Sequence, residues 1–206
     1  LGWNPGTEQE LFGLNELVAT FELERVQKSG ARFDPEKTKW FNQQYLQIST
    51  AAKILPEFKK GILAAFGAAA VENKSDHVLE TIIDLVKERA AFTHELIELS
   101  AYFFVDPTSY DQKALKKQWK ENTPQIVAAL TEIIKGQTDF SSASLELTIK
   151  NYIAEQSLSF GAVMPPLRLA LVGALSGPHV FDIMEVLGKD RCIERILALE
   201  NAAKDL

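Results

Sequence analysis

Two arginines stand where a charge needs a reason. Arg89 lies four residues after Leu85, three before Phe92 and seven before Leu96, so on a helix it shares a stripe with apolar neighbours. Such a guanidinium pairs with a carboxylate such as Glu88, snorkels to solvent, or reaches out to a partner. Arg168 follows Met164-Pro165-Pro166-Leu167, and the two prolines predict a helix that starts there with Arg168 one turn in. A guanidinium fixed near a helix start offers a planar fork of donors to a base edge or a phosphate. Lys113, Lys116, Lys117 and Lys120 fall on one side of a predicted helix, and Lys28 and Arg32 flank a glycine loop. For these the ordinary reading is a solvated face.

Other chemistry finds little support. His77, His94 and His179 are too far apart in sequence to pair on one helix face, so no metal site is expected, and no catalytic residue is assigned. The glycines punctuate turns instead of forming a phosphate-cradling loop, and the pairs Glu8/Glu10 and Glu95/Glu98 have the spacing of solvated charges. Cys192 is the single cysteine, which excludes an internal disulfide and predicts a small core residue on a C-terminal helix. That usage, with no apolar run long enough to span a bilayer, gives a cytoplasmic protein with no membrane partner as the expectation. The 22 basic and 28 acidic residues leave a net charge of −6, which argues against indiscriminate nucleic-acid binding. What decides specific binding is where the positive charges lie.

The elements that position these residues are predicted to be helices throughout, because no segment shows the alternation of a half-buried strand. The fold class is therefore all-α. Residues 1–33 are short and broken, with a helix near 14–21 and a loop at Lys28-Ser29-Gly30-Ala31. Asp34-Pro35-Glu36 predicts a capped helix start that carries Trp40, Phe41 and Tyr45 towards a core. A second helix follows Ser49, with Pro56 marking a kink or a fresh start. The stretch 75–104 has no glycine or proline, but its apolar phase slips at Phe92-Thr93, where Thr93 is the expected cap of a new helix. Asp106-Pro107 ends it and is the expected domain boundary. Beyond it come helices at 110–119, 124–134 and 142–155, one begun by Pro165-Pro166, and a last region broken at Gly188. The division is 1–47, 48–107 and 108–206.

Taken in order, several segments resemble the C-terminal part of the bacterial glutamyl-tRNA synthetases. Leu1-Gly2-Trp3 resembles the L-G-W after that family's catalytic signature loop, and with no initiator methionine the chain reads as a piece of something longer. Ser29 to Asn42 matches the pattern S-x-A-x-F-D-x-x-K-L-x-W-x-N, except that Thr38 replaces the leucine. Leu85-Val86-Lys87-Glu88-Arg89-Ala90 with Phe103-Phe104 resembles the first anticodon-binding domain. Pro166-Leu167-Arg168-Leu169-Ala170-Leu171, Gly173, Gly177-Pro178, Phe181 and Leu187-Gly188-Lys189 resemble the close of the second.

The resemblance implies a function by halves. The family charges tRNA with glutamate using ATP, on a Rossmann domain with an H-I-G-H-like motif and a K-M-S-K-S-like loop, and neither motif occurs here. No cofactor is thus expected in this chain, ATP and magnesium belonging to the catalytic domain, and the chain alone is expected to charge no tRNA. The implied partners are tRNA(Glu) and the missing N-terminal catalytic domain of the same polypeptide, with a monomer as the expected state. Arg89 and Arg168 take the family's positions at the anticodon bases, with Gly177, Pro178 and Val180 against them; Gly177 and Val180 are variants of the family residues. Lys28, Ser29 and Arg32 are the implied contacts to the tRNA stem. A helical protein-interaction or regulatory module without tRNA recognition is the alternative.

Overall fold

The computed structural model describes residues 2–28 and 32–205. Among them all regular structure is helical, apart from one isolated antiparallel bridge between Trp3 and Val26, so the chain is all-α as its periodicity predicts. The first segment gathers around Trp3, whose ring lies 5.6 Å from Phe21 and 5.9 Å from Phe12. Helix α1 (Leu14–Thr20) buries nothing. Helix α2 (Pro35–Ile48) starts as the sequence predicts: the Asp34 carboxylate accepts from the Lys37 amide at 3.1 Å and Pro35 takes the first position.

The aromatics of α2 do not enter a core. Trp40 and Tyr45 are 39% and 41% exposed, and only Leu46 of that helix is buried. The reason is that α2 docks by a polar edge: the Asn42 amide donates to the Ala91 carbonyl, Gln47 Nε2 donates to the Glu88 carbonyl at 3.3 Å, and the Tyr45 hydroxyl donates to the Phe12 carbonyl at 3.0 Å.

Helix α3 (Ala51–Phe66) runs through Pro56, whose missing N–H frees the carbonyl of Ala52, an exposed residue where water can serve. Its Ile54, Leu55, Phe58 and Ile62 pack against Leu79, Ile82, Ile83 and Val86 of α5 (Asp76–Val86), with the short α4 (Ala68–Glu72) between them in sequence. A 3-10 turn at Lys87–Arg89 follows, then a break, α6 (Glu95–Leu99) and a second 3-10 turn at Ala101–Phe103. The break falls where the apolar phase slips, but Thr93 does not cap it. The Glu95 carboxylate reaches back to accept from the amides of Ala91 at 2.6 Å and Phe92 at 3.2 Å. A charged acceptor serves two orphan amides better than a hydroxyl serves one, and the Ala91 amide above all holds the Glu95 carboxyl below its ordinary range.

Six further α-helices follow among the described residues: α7 (Gln112–Gln118), α8 (Thr123–Gly136), α9 (Ser142–Glu155), α10 (Phe160–Val172), α11 (Val180–Leu187) and α12 (Lys189–Ala202). Helices α8, α10 and α12 pack together, α9 lies on α11, and α11 touches both α5 and the 101–103 turn. The buried residues from Leu46 to Leu199 therefore form one cluster that passes Asp106-Pro107 without a gap. Cys192 lies in it, with burial pushing its thiol up to about 12, which leaves it inert.

Helix α10 begins earlier than its prolines predict. Ser157 sits at φ +52 and ends α9, and Ser159 is extended, so the new helix winds from Phe160 with Pro165 and Pro166 inside it. Arg168 is thus in the third turn, beyond the reach of the helix's N-terminal dipole.

Candidate nucleic-acid interface

The two halves of the chain are clasped by Arg195, which is 2% exposed. Its Nε donates to Asp106 Oδ1 at 2.7 Å, its Nη2 to the carbonyls of Tyr102 at 2.6 Å and Val105 at 3.3 Å, and its Nη1 to the carbonyl of Leu171. Arg191 adds a bond to the same Asp106 oxygen at 2.7 Å. Burial acts to raise the Asp106 carboxyl, but the hydrogen bonds from Arg191 and Arg195 outweigh it and hold it below the ordinary 3.8. A carboxyl depressed in the folded state stabilises above its unfolded value and ceases to as pH falls through its folded value. The urea midpoint should therefore drop as pH is lowered from about 4, and Asp106→Asn should flatten that acid limb; an unchanged limb would remove Asp106 from the account.

Beside the clasp opens a cleft of about 460 Å³ whose walls include Arg89, Tyr102, Pro107, Gly173, Gly177 and Pro178. Gly173 ends α10 at φ +82 and sits where a Cβ would come 2.9 Å from the Ser109 carbonyl, so only glycine lets the 107–111 loop close on it. The Asp111 amide then donates to the Gly173 carbonyl at 2.9 Å.

Arg89 is exposed at the end of the 87–89 turn, and its Nη1 donates to the Leu85 carbonyl at 3.3 Å, a favourable place for a cation at a helix C-terminus. Among the described residues neither Arg89 nor Arg168 has a carboxylate partner, so the pairing of Arg89 with Glu88 is not formed. The bonds from Asn42 and Gln47 to the carbonyls of Ala91 and Glu88 hold the backbone on either side of Arg89.

Arg168 stands on the α10 side of the cleft, behind Gly177. Its Nη1 is buried with no hydrogen-bond partner among the described residues, and so is the Tyr102 hydroxyl. Burial pushes the Arg168 guanidinium down and the Tyr102 phenol up to about 12, while the charges of Arg89 and Arg168 pull the phenol the other way. Gly177 has φ +141, and a Cβ there would lie 3.1 Å from Arg168 Nη1 and 3.8 Å from the Tyr102 hydroxyl oxygen.

The structure thus brings Arg89, Arg168, Gly177 and Pro178 to one place. Val180 is 1% exposed at the start of α11, so its side chain anchors that helix in the core and offers no surface. Lys28 and Arg32 are exposed and do not line the cleft; Ser29 lies outside the described residues. The four lysines at 113, 116, 117 and 120 are all exposed. Sequence reasoning missed Arg195 and Tyr102. Arg195 carried a signal, since it shares the stripe of Cys192, Ile196 and Leu199 just as Arg89 shares one with Leu85 and Leu96. Tyr102 carried none, because Tyr102-Phe103-Phe104 reads as core.

The family described as Anticodon binding domain matches residues 31–199. The chain is similar to the glutamate–tRNA ligase of Flavobacterium psychrophilum, with 47% identity over 196 residues that make up 95% of this chain and 38% of that protein. That of Porphyromonas gingivalis W83 is 44% identical over the same shares. Among solved structures, a glutamate tRNA ligase from Elizabethkingia meningosepticum in complex with its amino acid is similar with a TM-score of 0.89 and 41% identity, over 98% of this chain and 39% of that one. The glutamate-tRNA synthetase of Elizabethkingia anophelis gives 0.83 and 40%, over 100% and 39%. The chain spans 38% of the length of the curated relatives it matches.

Proposed function

Since this chain belongs to the anticodon-binding domain family, we propose that it is the tRNA-reading part of a glutamate–tRNA ligase and that its cleft receives the anticodon of tRNA(Glu). The observation that carries the reading is the meeting of Arg89 and Arg168 at Tyr102, from opposite halves of the chain, with no carboxylate partner for either among the described residues. Arg89 lines the cleft, and Arg168 stands behind Gly177, another lining residue, with its Nη1 3.1 Å from where a Gly177 Cβ would lie. Bases of an unpaired loop are splayed and expose their Watson–Crick edges, which suits guanidinium forks placed on a rigid wall. The regions 48–107 and 108–206 act as the two lobes of this reader. Lys28, Ser29 and Arg32, which precede α2 in the sequence, contact the stem through its phosphates.

The ligation chemistry, with ATP and magnesium, belongs to the part of the relatives that this chain does not span. Leu14, Val18, Leu23 and Phe33 support that division: each is at least 70% exposed, and a neighbouring domain of the same polypeptide would cover them. Among the described residues there is no sheet feeding a glycine-rich turn into a helix, the arrangement that cradles a nucleotide's phosphates.

Titration of the chain with an anticodon stem-loop of tRNA(Glu) at rising salt tests the reading. Affinity should fall linearly on a log–log plot, with a slope of about 0.7–0.9 per phosphate contacted. A helical protein-interaction module would bind the stem-loop weakly at every salt concentration, and that result would overturn the proposal.

A further inference from the structure

We infer that Tyr102 is a specificity-determining residue of the cleft: its hydroxyl and Arg168 Nη1 form a donor pair, side by side at Gly177, that takes the acceptor atoms of one unpaired RNA base. This rests on the anticodon reading and adds to it a residue and a contact that neither the arginines nor the family resemblance supplies.

Three observations meet at this point. The Tyr102 hydroxyl and Arg168 Nη1 are both buried, and neither has a hydrogen-bond partner among the described residues. Buried polar groups are paired in folded proteins with few exceptions, and the exceptions call for a reason. Both atoms lie within 4 Å of the point that a Cβ of Gly177 would occupy, so both stand against the same side of the Gly177 backbone. Tyr102 itself lines the cleft, and glycine at 177 is the residue that leaves the donors uncovered by a side chain.

Both members of the pair can donate. Arginine only donates, and the phenol stays protonated across the physiological range because burial lifts it to about 12. Two adjacent donors in a desolvated wall ask for acceptors: a base carbonyl oxygen and a ring nitrogen, exposed only when the base is unpaired. Side-chain adjustments common on complex formation are enough to turn the two donors into the cleft. The Tyr102 backbone is already fixed, since its carbonyl is held by Arg195 at 2.6 Å, and the ring packs against that of Phe103, tilted by 44° at a centroid distance of 4.5 Å. What remains free to respond is the tip of the side chain.

Tyr102→Phe tests this with little risk to folding, because it removes an oxygen that has no hydrogen-bond partner among the described residues. Its urea midpoint should equal that of the wild type. Its affinity for the tRNA(Glu) anticodon stem-loop should fall about five- to tenfold, with an unchanged salt slope, because no phosphate contact is lost. Unchanged affinity in Tyr102→Phe, with Arg168→Ala weakened, would overturn the role of Tyr102 and leave the anticodon reading standing. A lowered urea midpoint with normal affinity would make the hydroxyl a structural group and overturn the inference. Absence of stem-loop binding by the unaltered chain would overturn the anticodon reading and this inference with it.

Discussion

Arg195→Ala should destabilise the chain by about 3 kcal/mol or more, because it strips a buried donor from three backbone carbonyls, while the half-exposed Asp106 keeps Arg191. The side chain is sealed in the core, yet it serves one carboxylate and three backbone carbonyls: Asp106, Tyr102, Val105 and Leu171. Alanine would leave those carbonyls without a donor where water does not enter easily, and each unsatisfied buried acceptor costs about 1–3 kcal/mol. The four partners belong to both halves of the chain, so the loss is cooperative: the 101–106 segment and the end of α10 part together. Against a total stability of about 5–15 kcal/mol the variant is marginal. Arg195→Lys supplies one ammonium in place of a planar fork, so it should recover part of the loss at most. Urea denaturation of the three proteins checks this, and a deficit below about 1 kcal/mol for alanine would mean that the clasp is dispensable.

Arg195 also matters to recognition without touching a base. It holds the carbonyl of Tyr102 on one wall of the cleft and that of Leu171, two residues before Gly173, on the other. A mild variant such as Arg195→Lys should therefore weaken RNA binding through the geometry of the walls, in step with its loss of stability.

The second large effect is expected at the base contacts. Arg168→Ala should weaken binding of the anticodon stem-loop by about 1–3 kcal/mol, roughly a tenfold to hundredfold loss, on the scale of a base contact read by arginine. Burial disfavours the charge on Arg168, and its Nη1 has no partner among the described residues, so its removal should not unfold the chain. Arg168→Met, which keeps most of the apolar stem and no donors, separates packing from recognition and should bind as poorly as alanine. Arg89→Ala should fall at the lower end of that range, because its guanidinium is exposed and bonded only to the Leu85 carbonyl. Unchanged affinity in both variants would move the anticodon site elsewhere.

Much of the helical framework was legible in the residues. Asp34-Pro35 starts α2, the phase slip at Phe92-Thr93 marks a real break, Ser142 to Glu155 is a helix with those bounds, and Gly188, at φ +81, separates the last two helices. These are local signals, set by caps, periodicity and backbone freedom within a few residues. What was illegible depends on distant partners. Trp40 and Tyr45 look like core residues from their type, but α2 is held by amides that bond to carbonyls about forty to fifty positions away. The start of α10 was misplaced because Pro165-Pro166 outweighed the turn at Ser157, which no residue type announces.

The site was legible as a set of candidates and not as a geometry. The stripe argument singled out Arg89, and the same argument applied to α12 would have found Arg195 as a residue whose charge must be paired. Nothing in the sequence could show that Arg89 and Arg168, 79 positions apart, face the same tyrosine. Their convergence is a product of one core that passes from α5 to α11 across Asp106-Pro107.

The central claim is that this cleft reads bases and not merely backbone. It is tested most directly by comparing the affinity of the unaltered chain for two stem-loops of identical stem and loop length, one carrying the tRNA(Glu) anticodon and one with its three anticodon nucleotides replaced. The account predicts a loss of about tenfold or more on replacement, since each misread base forfeits a contact of the size expected for Arg168. Equal affinity for the two stem-loops would contradict it, leaving a chain that holds RNA by its phosphates alone.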